Sequence, residues 1–323
     1  MTPPAVPLIS VVIPTYDRPV LLRQAVDSVL GQTLARERFE IIVVDNSPDQ
    51  VAAACFAETY RGRPGFHYLL EATPGLSNAR NVGARTARAP HVAFIDDDLV
   101  TDRDWLAALL DAFAAFPDAG VVGGRVLPRW LSPRPRWLHD KLLGYVSVVD
   151  WGGSLRIKRP SEWLGGGNMA VVREDFLALG GFSTGLGRVG SGAILLSNED
   201  GDLVRRMAAR GRLAVYAPDA VVEHMIDPPR LTQPWFRSRA AWQAVSDFMS
   251  NPGAAPARTA DAAARLRLAA RVRGGIAPGF FAATDDPAAF FEQVQIAYFQ
   301  MLALLGGGVE GEPAAGEGRP GQI

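Results

Sequence analysis

The sequence predicts an α/β fold built on a mostly parallel sheet, and three observations predict it. Short β-branched and aliphatic runs, too uniformly apolar to keep a solvent face, recur from Leu8 through Gly124. Segments with apolar residues at helical spacing alternate with them. Acidic residues stand at the carboxyl ends of two runs, Asp45 and Asp96-Asp97-Asp98, where open parallel sheets bind their ligands.

Each element follows from its own pattern. Leu8–Ile13 is a buried strand stopped by Pro14, and Val20–Leu30 is a helix with Leu22, Ala25, Val26 and Val29 on one face, closed by Gly31. Glu40–Val44 is the second strand, 51–60 a helix and Phe66–Leu70 the third strand. Ser77–Ala87 is helical, His91–Ile95 is the fourth strand, and Asp104–Phe116 is a helix ended by Pro117. Val121–Gly124 begins a further strand. From Arg125 to Trp163 proline, arginine and tryptophan loosen the pattern, and a hairpin around Tyr145–Ile157 is expected across the mouth of the site. Asn168–Val172 is regular again, followed by helices near Glu174–Leu179 and Asp200–Arg210 and by extended runs at Leu213–Tyr216 and Ala220–Glu223.

Composition narrows the function. Of 323 residues, 48% are hydrophobic and 21% charged, with a net charge of -1. That is ordinary globular composition without the basic field that nucleic acid requires. The one cysteine, Cys55, forms neither an internal disulfide nor a thiolate metal cluster and reads as a small buried helix residue. No basic and apolar leader opens the chain, and no run of about twenty apolar residues interrupts it, so the expected location is cytoplasmic.

Four constellations carry chemistry, each with a plain structural reading beside it. Adjacent carboxylates about 4 Å apart repel by roughly 4 kcal/mol at an effective dielectric of 20. A hard divalent cation reverses that sign, so Asp96-Asp97-Asp98 is either a metal site or a solvated acidic turn. In extended backbone Asp96 and Asp98 would share a face and Asp97 would oppose them. Asn198-Glu199-Asp200 is either a charged helix start or the carboxylate general base of a transfer. Gly165-Gly166-Gly167 permits close backbone approach but lacks the Lys-Ser/Thr of a nucleoside triphosphate loop. His224 is a ligand only if a metal stands near it.

In order and spacing these motifs resemble the inverting GT-A-fold glycosyltransferases, specifically glycosyltransferase family 2 of the bacterial polysaccharide type. The resemblance runs from about Leu8 to His224 through Val11-Val12-Ile13-Pro14-Thr15-Tyr16-Asp17-Arg18, Ile41-Ile42-Val43-Val44-Asp45, Gly75-Leu76-Ser77-Asn78-Ala79-Arg80-Asn81, Phe94-Ile95-Asp96-Asp97-Asp98, Gly166-Gly167-Asn168 and Asn198-Glu199-Asp200. It implies a nucleotide-diphosphate sugar donor, UDP by default, and Mn²⁺ or Mg²⁺ as cofactor. A saccharide or lipid-linked acceptor would take the sugar in one inverting displacement. It assigns the nucleotide to Pro14, Tyr16, Asp45, Arg80, Asp96 and Asp97, and the metal to Asp98 and His224. Asp200 becomes the base, with Glu199 at the acceptor or donor sugar. Gly166, Gly167, Asn168 and Trp163 line the sugar sites. Relatives often carry glycine where this chain has Asn198.

A GT-A domain over 1–226, a helical extension over 227–305 and a disordered tail over 306–323 are expected, and loss of the tail should spare activity. Trp130, Trp137, Trp151 and Trp163 fit sugar stacking as well as core filling, whereas Trp235 and Trp242 share a helical face and read as core. The helix with Arg258, Arg265, Arg267, Arg271 and Arg273 suits an anionic membrane surface or plain solvent, and the apolar segment 287–305 must pack on the domain or in a homodimer. Two competing readings remain. A sugar-nucleotidyltransferase would need a basic glycine-rich loop after the first strand. A non-catalytic nucleotide-sugar binder would not need Asp98 and Asp200.

Overall fold

A computed structural model of the chain describes residues 6–48, 56–60, 62–190, 194–273, 275–276 and 279–307. Four strands make the parallel core: β1 (Ile9–Thr15), β2 (Phe39–Asp45), β3 (Phe66–Leu70) and β4 (His91–Ile95). Every residue of β1 and β2 is buried, which is why their sequences do not alternate. Helices α1 (Pro19–Leu30) and α2 (Leu76–Thr86) pack against them. A Cβ on Gly83 of α2 would lie 2.3 Å from a Val12 methyl, so only glycine lets that helix lie so close.

The sheet then changes character. β8 (Asn168–Val172) runs antiparallel between β4 and β6 (Ala119–Trp130), and β9 (Leu213–Ile226) lies parallel to β6. β5 (Leu99–Thr101) and β7 (Arg156–Ile157) pair with β9 antiparallel. Among the described residues the order is β3-β2-β1-β4-β8-β6-β9-β5, with β7 also on β9. The α/β architecture is the expected one, a parallel core flanked by helices, with α3 (Trp105–Ala115), α4 (Arg173–Ala178) and α5 (Glu199–Ala208) completing the layers.

Two expectations need correction. The separate extended runs at 213–216 and 220–223 are one strand with a bulge, because Gly124 pairs with Ala217 while Arg125 pairs with Val221. Pro218 falls in the bulge and has no N–H to give a ladder. The hairpin around 145–157 does not form. A 3₁₀ turn covers Asp140–Val146, Val126 bridges to Val149, and β7 joins β9 instead. The long strands offer these segments a ready edge.

After Asp227 the chain forms α6 (Gln233–Ser250), α7 (Ala255–Arg273) and α8 (Pro287–Leu305). The Thr232 and Asp286 side chains cap α6 and α8. α8 is long and apolar enough to cross a membrane by length and composition, although Glu292, Gln293, Gln295 and Gln300 interrupt its apolar run. Its buried side chains, Phe290 and Val294 among them, pack on α6 and on the excursion through Trp137, Leu138 and Leu142. Trp130 and Trp235 pack in that same cluster. Cys55, most of the helix expected over 51–60 and the tail from 308 lie outside the described residues; 56–60 is helical.

Candidate active site

The carboxyl ends of β1 and β4, the turn before β8 and the start of α5 surround a cleft of 790 Å³. On one wall the three aspartates do not continue the strand. Leu99 N–H bonds back to the Asp96 carbonyl at 3.1 Å, and this turn sends the side chains apart. Asp96 meets Arg80 at 2.5 Å, while Asp97 and Asp98 share Arg18 at 3.4 and 3.2 Å. The alternation expected of extended backbone is thereby replaced. Thr15, at the end of β1 beside β4, donates to Asp97 at 2.7 Å.

Pairing of β5 with β9 sets Leu99 opposite His224, bringing the imidazole Nε2 to 3.5 Å from Asp98 Oδ2. Arg230 Nη2 lies 3.0 Å from the same oxygen. Burial alone would raise the pKa of Asp98, but His224, Arg230 and Arg18 together outweigh it and hold the carboxylate well below its usual range. Asp97 shifts the other way, to about 7, because of burial and the neighbouring Asp98 charge.

This corner can accept a cation. His224 Nδ1 faces the Val146 carbonyl at 2.8 Å, so Nδ1 carries a proton, and in the neutral ring that a metal would bind, Nε2 offers its lone pair on the Asp98 side. The Arg230 guanidinium donates to both, Nη1 to Nε2 at 3.0 Å and Nη2 to Asp98 Oδ2 at 3.0 Å. Two protein ligands suit a hard divalent ion that draws its remaining ligands from phosphate and water, provided Arg230 yields. Among the described residues no group of three His, Cys, Asp or Glu side chains is placed to chelate a metal unaided.

Asp200 sits at the opposite wall, at the start of α5. Its Oδ2 accepts from Gly166 N–H at 3.1 Å and its Oδ1 from Gly201 N–H at 2.6 Å. Burial and the adjacent Glu199 charge push its pKa up to about 6. Glu199 is itself held by Arg80 at 3.0 Å. The preceding Asn198 has φ +74°. That left-handed conformation is one glycine adopts at no steric cost and asparagine tolerates. Here the asparagine amide instead binds Asp247 of α6 at 2.7 Å, fastening the base loop to the C-terminal helices.

Gly166 and Gly167 join the two walls. A Cβ on Gly166 would lie 2.8 Å from Arg80 Nη1, and one on Gly167 2.6 Å from Asp96 Oδ2. Both must be glycine because charged groups pass directly over them.

Pro14, Tyr16 and Trp163 line the cleft, whereas Trp151 packs on the main core with its Nε1 on the Trp163 carbonyl. Three predicted residues have other attachments. Arg80 is 1% exposed and its guanidinium bridges Asp96 and Glu199 where it lines the cleft. Asn168 is fully buried, holding Trp105 Nε1 at 2.8 Å and the Arg125 and Ala220 carbonyls at 2.9 Å. It therefore ties strands together rather than presenting its amide to sugar. Asp45 accepts from the Tyr68 hydroxyl and from Ser47 N–H, and its neighbour Asn46 is the one that lines the cleft. Arg188 and Arg239 line the cleft as well. Sequence reasoning missed them, since isolated arginines separated by fifty residues carry no motif.

Comparison with known proteins shows the family and the fold. A family model described as glycosyl transferase family 2 matches residues 10–177. The chain is 28% identical over 247 residues to a glucosyl-dolichyl phosphate glucuronosyltransferase of Haloferax volcanii, covering 74% of this chain and 75% of that one. It is 31% identical over 203 residues to a validoxylamine A glucosyltransferase of Streptomyces hygroscopicus, covering 55% of this chain and 47% of the relative, about half its length. The solved mannosyltransferase PcManGT from Pyrobaculum calidifontis, in complex with GDP-Man and Mn²⁺, has the same fold at a TM-score of 0.58. It is 24% identical, over 94% of this chain and 87% of that one.

Proposed function

We propose, from the premise that this chain belongs to glycosyl transferase family 2 and is a glycosyltransferase, that it moves a sugar from a nucleoside-diphosphate donor to an acceptor hydroxyl by one inverting displacement. The observation that carries the reading is that one cleft gathers both groups. Asp98 and His224 stand on one side, and a carboxylate with a raised pKa, Asp200, on the other.

A divalent ion held by Asp98 and His224 would neutralise the departing diphosphate. Arg18 and Arg230 flank the same corner and would bind phosphate oxygens. Pro14, Tyr16 and Asn46 line the end suited to the nucleobase, with Asp45 fixed behind them. Asp200 would take the proton from the acceptor hydroxyl as that oxygen attacks the anomeric carbon. Its two backbone hydrogen bonds hold the carboxylate in one orientation. Glu199, held by Arg80, orients that loop, and Trp163 offers a ring to a sugar face. Relatives support the setting: one is a succinoglycan biosynthesis protein of Rhizobium meliloti, so polysaccharide or glycolipid synthesis in the cell envelope is the proposed role. The 1–226 and 227–305 division is kept as a proposal, as are the membrane-surface and homodimer roles of α7 and α8, where Leu268, Val272 and Leu304 are exposed.

The test is a screen of UDP-, GDP- and dTDP-sugars with and without Mn²⁺ by thermal unfolding, followed by product analysis. A binder at about 100 times its Kd stabilises by about 2.7 kcal/mol. One donor should do so only with metal, the effect should vanish in Asp98→Ala, and the product should carry the inverted anomer. Absence of stabilisation by every donor, or a retained anomer, defeats the reading.

A further inference from the structure

We propose that Arg188 and Arg239 form a subsite for an anionic group, a phosphate or a carboxylate, that one of the two substrates carries beside the reacting centre. The proposal rests on the transfer reading above and adds a substrate class to it.

Arg239 projects from α6 into the cleft and is 8% exposed. Its Nη2 donates to Ser197 Oγ at 3.2 Å and to Gln243 Oε1 at 2.9 Å. Its Nε and Nη1 are buried with no hydrogen-bond partner. Arg188 lines the same cleft, and among the described residues neither arginine forms an ion pair with a carboxylate. Burial, then the charges of Arg230 and Arg239, push the Arg188 pKa down to about 10.

Such an arrangement is costly. A buried guanidinium loses its hydration, and each unpaired donor adds a penalty. Elsewhere the chain avoids that cost: Arg80 is fully enclosed but holds Asp96 and Glu199, and Arg156 holds Glu162 at 2.6 Å. Here, among the described residues, the buried Arg239 and the half-buried Arg188 line the cavity without a carboxylate partner. Charge complementarity is restored when an anion arrives, with charge-assisted hydrogen bonds to the free donors.

The position separates this subsite from the donor diphosphate. Arg18 and Arg230 already serve the Asp98 corner. Arg239 is hydrogen-bonded to Ser197, just before Glu199 and Asp200, and a Cβ on Gly187, next to Arg188, would lie 3.5 Å from the Glu199 carboxylate. The anion therefore sits beside the loop that carries the base. A uronate carboxylate on the transferred sugar would fit there, and so would a phosphate on the acceptor.

The test uses the full chain with Mn²⁺ and the nucleoside diphosphate that binds best among UDP, GDP and dTDP. One arm compares affinity for the neutral hexose and hexuronate nucleotides of that base. The other titrates citronellyl phosphate against citronellol with the nucleoside diphosphate saturating. Wild type should favour the anionic member of one pair by about tenfold or more. Arg239→Gln and Arg188→Gln should each erase that preference; the arm that responds identifies the donor or the acceptor as its source. Indifference in both arms overturns the proposal. So does a loss of affinity for the bare nucleoside diphosphate as large as that for the anionic probe, which would make the pair a diphosphate clamp. Should Arg239→Gln fail to fold, Arg188→Gln and the wild-type preference still decide. If no nucleoside diphosphate binds wild type at all, the transfer reading itself has failed and takes the subsite with it.

Discussion

The two walls of the cleft solve opposite electrostatic problems. On the Asp98 wall three consecutive carboxylates are matched by Arg18, Arg80, His224 and Arg230, all within 3.5 Å. On the Asp200 wall the base accepts hydrogen bonds from backbone donors and feels the Arg80 charge without an ion pair to it, while among the described residues Arg188 and Arg239 lack carboxylates. The first wall is neutralised from within and its Asp98 stays ionised. The second is left unbalanced, with a base poised near neutrality. A site that binds on one side and reacts on the other needs that difference.

The largest expected effect breaks the comparison at the reacting wall. Asp200→Asn should lower kcat by about 10²–10⁴-fold, while donor affinity with metal, measured by calorimetry, stays within a few fold. An equal collapse of donor affinity would mean that the two walls are not functionally separate. The next effect tests their mechanical link. Gly167→Ala puts a methyl 2.6 Å from Asp96 Oδ2, and Asp96 cannot move without disturbing Arg80 and, through it, Glu199. A displacement of about 1 Å costs about 10²-fold in kcat/KM. Kinetics together with a thermal melt would separate this from unfolding, and wild-type kinetics in a folded variant would remove the linkage.

The same contrast explains what the sequence could tell. β1 and β2 are buried on both faces, so each announces itself as an apolar run; Asp45 does mark the end of β2, but β1 runs on through Pro14, the expected stop, to Thr15, which still pairs with Asp45. β6 and β9 are long and partly exposed, and β9 is bulged at Pro218; local patterning split β9 in two and suggested a hairpin that the sheet edge outcompeted. In the site, contiguous acids at strand and helix ends were legible as chemistry. Their exact partners were not, because the turn at Asp96 and the β5–β9 register are tertiary events. In sequence Asn168 is assigned to the sugar site from the segment Gly166-Gly167-Asn168; its hydrogen bond from Trp105 belongs to packing that no local window contains. The arginines of the second wall were invisible for a related reason: each is unremarkable until the fold of α6 and the loop before α5 brings it to the cavity.

The smallest effect is the sharpest probe of the unbalanced wall. A base must be unprotonated to act, and burial together with Glu199 lifts Asp200 to about 6. Activity should therefore rise with pH through about 6 and level off above it. Between pH 7 and pH 5 one such group predicts about a tenfold fall in kcat, provided the rate of proton transfer is expressed in turnover. Glu199→Gln removes the nearest like charge and leaves Arg80 with less competition for its attraction, so the acid limb should move to lower pH. A limb that stays in place after Glu199→Gln would mean that desolvation alone sets the base. A limb that moves upward would mean that Glu199 serves Asp200 chiefly by holding Arg80 near it, and the apparent repulsion between the two neighbours would be the lesser of its two influences.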